Sequence, residues 1–247
     1  MLKTRVMPTM LYKGYGLVKG KAFDSWRRTG GVMQTVKVYN MREVDELILL
    51  DIAATDEGRE PDFALIDEVA DECFMPLTVG GGIKTLEHVR GLLKVGADKI
   101  AINTAAVENP ALVTETSRKF GAQCVVASID FRGSEVFTHS GKKATGLGVV
   151  AHAKECERLG AGELLLTSVE RDGCMTGYDL DITRRVSEAV HIPVIASGGA
   201  GNYDHMADAV LSGKASAVAA SAIFHFTEQT PREAKERMRE RGVVVRL

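Results

Sequence analysis

Two long segments of the chain carry similar residues at the same spacing. The segment PLTVGGGIKTLEHVRGLLKVG, which begins at Pro76, aligns without a gap on PVIASGGAGNYDHMADAVLSG, which begins at Pro193. The alignment places Gly82 on Gly199, an offset of 117 residues. This period is far longer than the repeats of about 20 to 50 residues that build solenoids. We therefore predict that the chain folds as two copies of one half-domain.

Short apolar runs recur eight times, and each is followed by a segment with helical periodicity. Nearly continuous apolar runs are typical of parallel strands that are buried on both faces. The intervening segments, such as LEHVRGLLKVG, place apolar residues three and four apart and end in glycine, as amphipathic helices do. The predicted strands span residues 4–11, 45–52, 76–82, 99–103, 124–130, 163–169, 193–199 and 217–223.

Eight strand and helix units in 247 residues match the size of one barrel domain. The fold class that we predict is α/β, a (β/α)8 TIM barrel built from two half-barrel repeats. It should occupy residues 1–247 as a single domain. A doubly wound open sheet is the alternative.

The composition excludes several classes of protein. The chain has 31 basic and 33 acidic side chains, a net charge of −2, so bulk charge does not attract nucleic acid or a membrane surface. Its four cysteines form no C-x-x-C pair, and its six histidines form no cluster with ligand spacing. We predict neither a metal site nor a cofactor. Without a signal peptide or an apolar run of about 18 residues, we expect a cytoplasmic protein.

Candidate functional groups follow from the ends of the predicted strands, because TIM barrels carry their sites there. The third and fourth strands end in VGGG and INT, and the seventh and eighth end in SGG and AAS. Glycine allows close approach of the backbone, and the start of a helix favours an anion. Two such groups related by the repeat predict a ligand with a phosphate at each end. Asp51 and Asp130 are the acids there without an evident structural task.

The longest motifs of the chain resemble one family. LDIAAT, TVGGGI, DKIAINTAAVENP, FTHSGKKATG, GAGELLLTSVERDG, IASGGAG and IFHF are similar to the cyclase subunit of imidazole glycerol phosphate synthase, a lyase. The resemblance covers essentially the whole chain. It implies a barrel that receives ammonia from a glutaminase docked at its bottom face, where the strands begin. It also implies that the top face uses this ammonia to cleave a bisphosphate and close an imidazole ring.

The resemblance also implies roles for individual residues. One phosphate would be bound by Gly82, Asn103 and Thr104, and the other by Asp172, Gly173, Gly199, Ala220 and Ser221. Further substrate contacts would be Lys19, Asp51, Ser140 and Thr167. The bottom entrance would be an ammonia gate formed by Arg5, Glu46, Lys99 and Glu163. Alternatively, these four charges only stabilise the lower end of the barrel.

One position departs from the family. The resemblance implies two catalytic aspartates on opposite sides of the barrel, and Asp130 matches one of them. The other falls on Leu11, because RVMPTMLYKGYGLVKG aligns with the first strand of the family without a gap. A general acid or base contributes about 10²- to 10⁴-fold to a rate, and leucine cannot exchange a proton. Tyr12 should not replace it, since neighbouring residues of a strand point to opposite faces.

The first strand and loop, VMPTMLYKGYGLVK, resemble most closely the paralogues associated with surface-polysaccharide sugar amidation. We therefore expect the synthase subunit of a glutamine-dependent amidotransferase, with impaired cyclase chemistry. It would form a heterodimer with a glutaminase and bind a phosphorylated small molecule or phosphate ions at two sites. One alternative is an active cyclase of histidine biosynthesis, with Asp130 doing most of the proton transfer. The other is a non-catalytic scaffold that binds a phosphorylated ligand.

Overall fold

A computed structural model describes residues 3–247, and its centre is a closed barrel of eight parallel strands. The last barrel strand pairs in parallel with the first, so the sheet has no open edge within the barrel. The predicted TIM barrel is confirmed, and the open sheet is wrong. With strands numbered along the chain, the barrel order is β1 (Arg5–Tyr12), β4 (Leu47–Asp51), β5 (Leu77–Gly80), β6 (Lys99–Ile102), β7 (Val125–Arg132), β10 (Glu163–Ser168), β11 (Val194–Ser197) and β12 (Ala217–Ala220).

Helices cover the outside of the barrel. Several begin at a residue whose side chain accepts a hydrogen bond from the first turn, as Thr85 and Asn202 do; such caps each stabilise a helix by about 1 kcal/mol. None of the helices within residues 3–247 has the length and apolarity needed to cross a bilayer. The helices are α1 (Val32–Met41), α2 (Phe63–Glu72), α3 (Leu86–Lys94), α4 (Thr104–Glu108), α5 (Ala111–Phe120), α6 (Val149–Leu159), α7 (Leu180–Ser187), α8 (Tyr203–Leu211), α9 (Ala222–Phe226) and α10 (Pro231–Glu240), with a 3-10 turn at Ala122–Cys124.

The internal repeat is visible in the positions of the elements. Strands β5 and β11 begin 117 residues apart, and so do helices α3 and α8. The two matched histidines also make the same contact. Nδ1 of His88 accepts from the backbone N–H of Lys84 at 3.3 Å, and Nδ1 of His205 accepts from that of Gly201 at 3.2 Å. Each histidine therefore braces the glycine-rich loop in front of its own helix.

Some predicted strands are shorter than expected at the top of the barrel. The predicted strand 76–82 ends at Gly80, and its repeat partner 193–199 ends at Ser197. The two glycines that follow each strand have φ angles between 68° and 114°. Because this backbone conformation is incompatible with an extended strand, each strand ends before its two glycines.

Two antiparallel hairpins extend from the top of the barrel, and the sequence analysis did not predict either. The first consists of β2 (Leu17–Lys21) and β3 (Asp24–Gly30), and the second of β8 (Glu135–Thr138) and β9 (Lys143–Gly148). Strand β2 pairs with the end of β1, and β8 pairs with the end of β7. The hairpins are therefore continuations of the first strand of each half-barrel.

The inside of the barrel is divided into layers. Charged side chains lie where the strands begin, and a cluster of apolar side chains fills the lumen above them. A larger apolar core lies between the sheet and the helices. Alanine supplies three of the eight buried members of the lumen cluster, so this layer is built partly from small side chains. The members are Met7, Ile48, Ala101, Val126, Leu165, Ile195, Ala217 and Ala219.

Candidate functional site

A large cavity opens at the top of the barrel, where the strands end. Every barrel strand contributes a lining residue, either from the strand itself or from the position that follows it. All the residues predicted for the top face line this one cavity. They are Lys19, Asp51, Gly82, Asn103, Thr104, Asp130, Ser140, Thr167, Asp172, Gly173, Gly199, Ala220 and Ser221.

Leu11 and Asp130 lie on opposite walls of the cavity. Leu11 is on β1 and Asp130 on β7, and three strands separate β1 from β7 in either direction around the barrel. The Leu11 side chain is only 7% exposed and lines the cavity. Tyr12 packs against the core outside the barrel, and its hydroxyl donates to the carbonyl of Gly14 at 3.0 Å. Tyr12 therefore points away from the cavity, as predicted.

Asp130 differs from the other acids that line the cavity. Asp51 and Asp172 both form ion pairs, whereas the Asp130 carboxyl has no hydrogen-bond or ion-pair partner within residues 3–247. Burial, and secondarily the negative charge of Asp172, raise the pKa of Asp130 to about 7. A carboxyl group with such a pKa is suited to exchange a proton at neutral pH.

The first hairpin lies directly against part of the second predicted phosphate site. The buried ammonium group of Lys19 donates to both carboxylate oxygens of Asp172, at 2.6 and 2.7 Å. The backbone N–H of Ala22 donates to the carbonyl of Asp172 at 2.7 Å. Gly173 lies so close to the hairpin that an added Cβ would be 2.0 Å from the carbonyl oxygen of Gly20. Lys19 is thus the ionisable group that the first loop brings into the cavity.

Two aromatic residues of the first hairpin also line the cavity, and the sequence analysis did not identify them. They are Phe23 and Trp26. An added Cβ on Gly141, in the turn of the second hairpin, would lie 2.9 Å from the Phe23 ring, so the two hairpins meet there. With Leu11 and the neighbouring side chains they make part of the cavity wall apolar. Two aromatic residues within the polar segment AFDSWRRTG were the available signal.

The first predicted phosphate site is assembled by contacts between neighbouring strands. The side-chain amide of Asn103 donates to the carbonyl of Ser128 at 3.0 Å. The Thr104 hydroxyl lies 3.3 Å from the side-chain oxygen of Asn103 and accepts from the backbone N–H of His139 at 3.2 Å. Gly82 has a φ of 68°, and an added Cβ would be 2.8 Å from a carbonyl oxygen. Only glycine therefore fits this turn without strain.

Asp51 has a structural task that the sequence did not reveal. Its carboxylate accepts from the backbone N–H groups of Ala53 and Ala54, both at 3.0 Å, and pairs with Arg59 at 3.0 Å. These contacts hold the loop between β4 and α2. The Ser140 hydroxyl donates into the same loop, to the carbonyl of a residue next to Asp51, at 2.8 Å. Asp51 and Ser140 therefore connect the cavity wall to the loop that follows β4.

The four charges predicted for the bottom entrance meet in one ring, which we call the charged ring. Arg5 lies 2.7 Å from Glu46 and 3.0 Å from Glu163. Lys99 lies 2.9 Å from Glu46 and 3.3 Å from Glu163. Each cation thus contacts both carboxylates, and all four side chains are at least three-quarters buried. The ring lies below the apolar layer of the lumen.

The cysteines and histidines do not form a second site in the described part of the chain. Residues 3–247 contain no group of three or more His, Cys, Asp and Glu side chains that could hold a metal ion. All four cysteines are free thiols. Burial raises the pKa of Cys156 to about 12, so this thiol stays protonated at neutral pH and is unreactive.

A comparison with known families identifies the relationship. The sequence model of a family described as histidine biosynthesis protein matches residues 5–230. The matched region contains the eight barrel strands, both hairpins, the charged ring and every residue predicted to line the cavity. Because this match spans most of the 247 residues, the chain belongs to the histidine biosynthesis protein family.

Proposed function

We propose that this protein is the synthase-like subunit of a glutamine-dependent amidotransferase. It pairs with a glutaminase in a cytoplasmic heterodimer and conducts ammonia through the barrel. The observation that carries the proposal is Leu11 opposite Asp130, above an intact charged ring and lumen. The resemblance implies that ring closure uses proton-transfer groups on both sides of the barrel, and Leu11 cannot exchange a proton. Passage of ammonia needs only an entrance and a lumen.

The layers inside the barrel suit a neutral molecule. The charged ring separates the bottom face from the lumen, and its cations and carboxylates are paired with one another. Above it, apolar side chains would leave an ammonium ion without partners, and transferring an unpaired charge into such surroundings is very unfavourable. Ammonia carries no charge and meets a much smaller barrier. The interior therefore favours ammonia over ammonium.

The bottom face also presents an apolar surface. Met41, at the end of α1, and Phe74, just before β5, are each 84% exposed. Asn40 supports this edge, since its side-chain amide donates to the carbonyl of Glu72 at 2.5 Å and its oxygen accepts from the backbone N–H of Phe74 at 3.2 Å. Asn40 thus links the segment that carries Met41 to the segment that carries Phe74, and contiguous exposed apolar surface often marks a protein interface. We infer that the glutaminase covers Met41 and Phe74 beside the charged ring.

We assign the amidation step to a third protein that modifies a surface-polysaccharide sugar. The resemblance of the first strand and loop to the sugar-amidation paralogues supports this assignment. The cavity keeps two glycine-rich turns on opposite sides, which would bind a phosphorylated small molecule or phosphate ions.

A second candidate function is an active cyclase in histidine biosynthesis. It is favoured by the raised pKa of Asp130 and by Lys19, which brings an amino group into the cavity. Lys19 is held by Asp172, however, through two hydrogen bonds of 2.6 and 2.7 Å that occupy its ammonium group. It is therefore a poor substitute for a carboxylate base. We rank this function second.

The charged ring provides the test of the proposed pairing. The double substitution Lys99→Met with Glu46→Gln removes one charge of each sign and leaves Arg5 paired with Glu163. If the charged ring is the ammonia gate, this variant should change the rate of glutamine hydrolysis by the partner glutaminase several-fold. The measurement is glutamine hydrolysis by the reconstituted complex, with co-purification of the two subunits as the first step.

The control for this experiment is another buried ion pair outside the lumen. Lys235 on α10 pairs with Asp45 at 3.2 Å, and both side chains are almost fully buried. Lys235→Met with Asp45→Asn should lower the stability without changing glutaminase stimulation. If the ring variant also changes only the stability, the ring is structural and the gate is refuted. A protein that neither binds nor stimulates a glutaminase would refute the proposed function.

The exposed side chains of Met41 and Phe74 on the bottom face give a second prediction. Phe74→Ser should weaken binding of the glutaminase by about tenfold or more, because removing a buried aromatic anchor from an interface typically costs at least 1 to 2 kcal/mol. Leu147→Ser is the matched control, since Leu147 is an exposed side chain of β9 at the top of the barrel. Titration calorimetry of both variants gives the two affinities. Equal affinities would place the interface elsewhere.

A further inference from the structure

The second strand of the first hairpin contains a β-bulge next to Trp26. Between two register pairs, β3 has one residue more than β2, so that Ser25 and Trp26 together lie opposite Gly20. The pairs that enclose the bulge are Lys19 with Arg27 and Lys21 with Asp24. Ser25 has a φ of 54°. Bulges re-aim side chains and are frequent beside active sites, so the bulge sets the direction of Trp26, which lines the cavity.

Trp26 is held at the cavity wall by contacts of its own strand. Its ring lies close to Gly20, where an added Cβ would be 2.9 Å from a ring carbon. The neighbouring residue, Arg27, points the other way and lies over the ring of Phe226, 5.5 Å from the ring centroid. Phe226 is on α9 and does not line the cavity. Trp26 itself stays partly exposed, so a ligand in the cavity can reach its ring.

The turn of the same hairpin holds a second aromatic ring in an unfavourable backbone conformation. Ala22 and Phe23 form a two-residue turn and have φ angles of 49° and 62°. Such turns favour Gly, Asn and Asp, and a bulky residue with a positive φ is an outlier. Backbone strain of this kind clusters at sites of binding and catalysis. Because Phe23 also lines the cavity, the strain indicates a function for its ring.

Groups that can bind phosphate and hydroxyl lie beside these two rings. Gly20, which the Trp26 ring approaches, is also next to Gly173 of the second predicted phosphate site, since an added Cβ on Gly173 would be 2.0 Å from the Gly20 carbonyl oxygen. Hydroxyl groups line the same cavity at Thr55, Ser140, Thr167 and Ser197. The cavity therefore combines an aromatic wall, a predicted phosphate site and a set of hydrogen-bonding groups.

We propose that Trp26 and Phe23 make this cavity selective for a phosphorylated hexose, whose pyranose ring packs against them. A pyranose presents C–H groups on its face, which pack on aromatic rings, and hydroxyl groups on its rim, which need polar partners. The phosphate would lie at Gly173. The inference rests on the proposed binding of a phosphorylated small molecule and names its class. A nucleobase would also stack on aromatic rings, so a nucleotide is the alternative that the test separates.

The first test uses Trp26 as a reporter, because it is the only tryptophan of the chain. Titration with the 1-phosphates of glucose, galactose and N-acetylglucosamine should change its fluorescence. The tightest of the three should bind with an affinity about tenfold higher, or more, than that of glycerol 3-phosphate, which has no ring. UMP should bind more weakly than that hexose phosphate. Tighter binding of UMP, or no gain over glycerol 3-phosphate, would overturn the proposal.

Substitutions separate selectivity from a structural role of the ring. Trp26→Leu should abolish the preference for the hexose phosphate and leave the affinity for glycerol 3-phosphate unchanged, whereas Trp26→Tyr should keep most of the preference. Phe226→Leu is the matched control, since it removes a partly exposed aromatic ring that contacts the same hairpin through Arg27. It should keep the full preference. Titration calorimetry gives all the affinities, because both Trp26 variants lack tryptophan. An equal loss of affinity for both ligands in Trp26→Leu would show a structural role and overturn the proposal.

These outcomes distinguish the inference from the proposed function. If glycerol 3-phosphate binds as tightly as the hexose phosphates, the inference fails and phosphate binding remains. If none of the phosphates binds, the proposed phosphorylated ligand fails together with the inference. Stimulation of a glutaminase is measured on the complex and depends on neither result, so the proposed pairing stands or falls separately.

Discussion

Under the proposed function, Leu11→Asp should give this protein ring-closing activity, and the wild-type chain should show none. The substitution puts a carboxylate on β1, directly across the cavity from Asp130 on β7. A second proton-transfer group is expected to raise the rate by about 10²- to 10⁴-fold, which corresponds to about 3 to 5 kcal/mol of transition-state stabilisation. The measurement is formation of the imidazole product from the bisphosphate substrate of the family. Free ammonium salt replaces the glutaminase as the source of ammonia.

Two companion variants separate proton transfer from a change of shape. Leu11→Asn has nearly the same size as Leu11→Asp but no carboxylate, so it should stay inactive. Adding Asp130→Asn to Leu11→Asp should abolish the gained activity, because both proton-transfer groups are then required. Robust turnover by the wild-type protein would contradict the proposed loss of cyclase chemistry. Such turnover would support the active cyclase, and Lys19 would then be the candidate for the second proton-transfer group.

The barrel could be predicted from the sequence because its signals are local or exactly repeated along the chain. Each buried strand is a nearly continuous apolar run, and the glycine-rich turns of the two halves align at one offset. Candidate residues at the strand ends, such as Asn103 and Asp130, could be placed at one face for the same reason, since the ends of parallel strands meet there. Lys19, Ser140 and Asp172 lie outside the barrel strands and were expected only from the resemblance. Asp130 and Leu11 fall on opposite walls because β7 and β1 are the first strands of the two half-barrels.

The remaining features depend on contacts that no local pattern encodes. The first hairpin is anchored by Lys19 and Asp172, which are far apart in the sequence, and its strands carry few of the apolar residues that indicate a strand. The pairing of Asp51 with Arg59 depends on the path of one loop. Such features require the closed barrel to be known.

Asp130→Asn should remove a dependence of stability on pH that the wild-type protein shows. The pKa of Asp130 in the folded protein is raised from 3.8 to about 7, so the folded state favours the protonated carboxyl. The contribution of this group to the free energy of unfolding is therefore fully present below about pH 4 and is lost as the pH rises to about 7. With about 1.4 kcal/mol for each pKa unit, the shift from 3.8 to about 7 limits this loss to about 4 to 5 kcal/mol. Solvent in the cavity that the carboxyl lines makes the loss smaller.

The measurement is urea unfolding of both proteins between about pH 4 and pH 8. The difference between them isolates Asp130, because the other acids contribute equally to both curves. Asp130→Asn should match the wild type below about pH 4, become progressively more stable than it as the pH rises from about 4 to about 7, and keep that difference at higher pH. A difference that does not vary with pH would show that Asp130 titrates normally. The cavity would then lack a group suited to proton transfer near neutral pH, and the active cyclase would lose its main support. The predicted slope would instead show that one proton-transfer group persists on the wall opposite Leu11, which is the condition under which Leu11→Asp can restore ring closure.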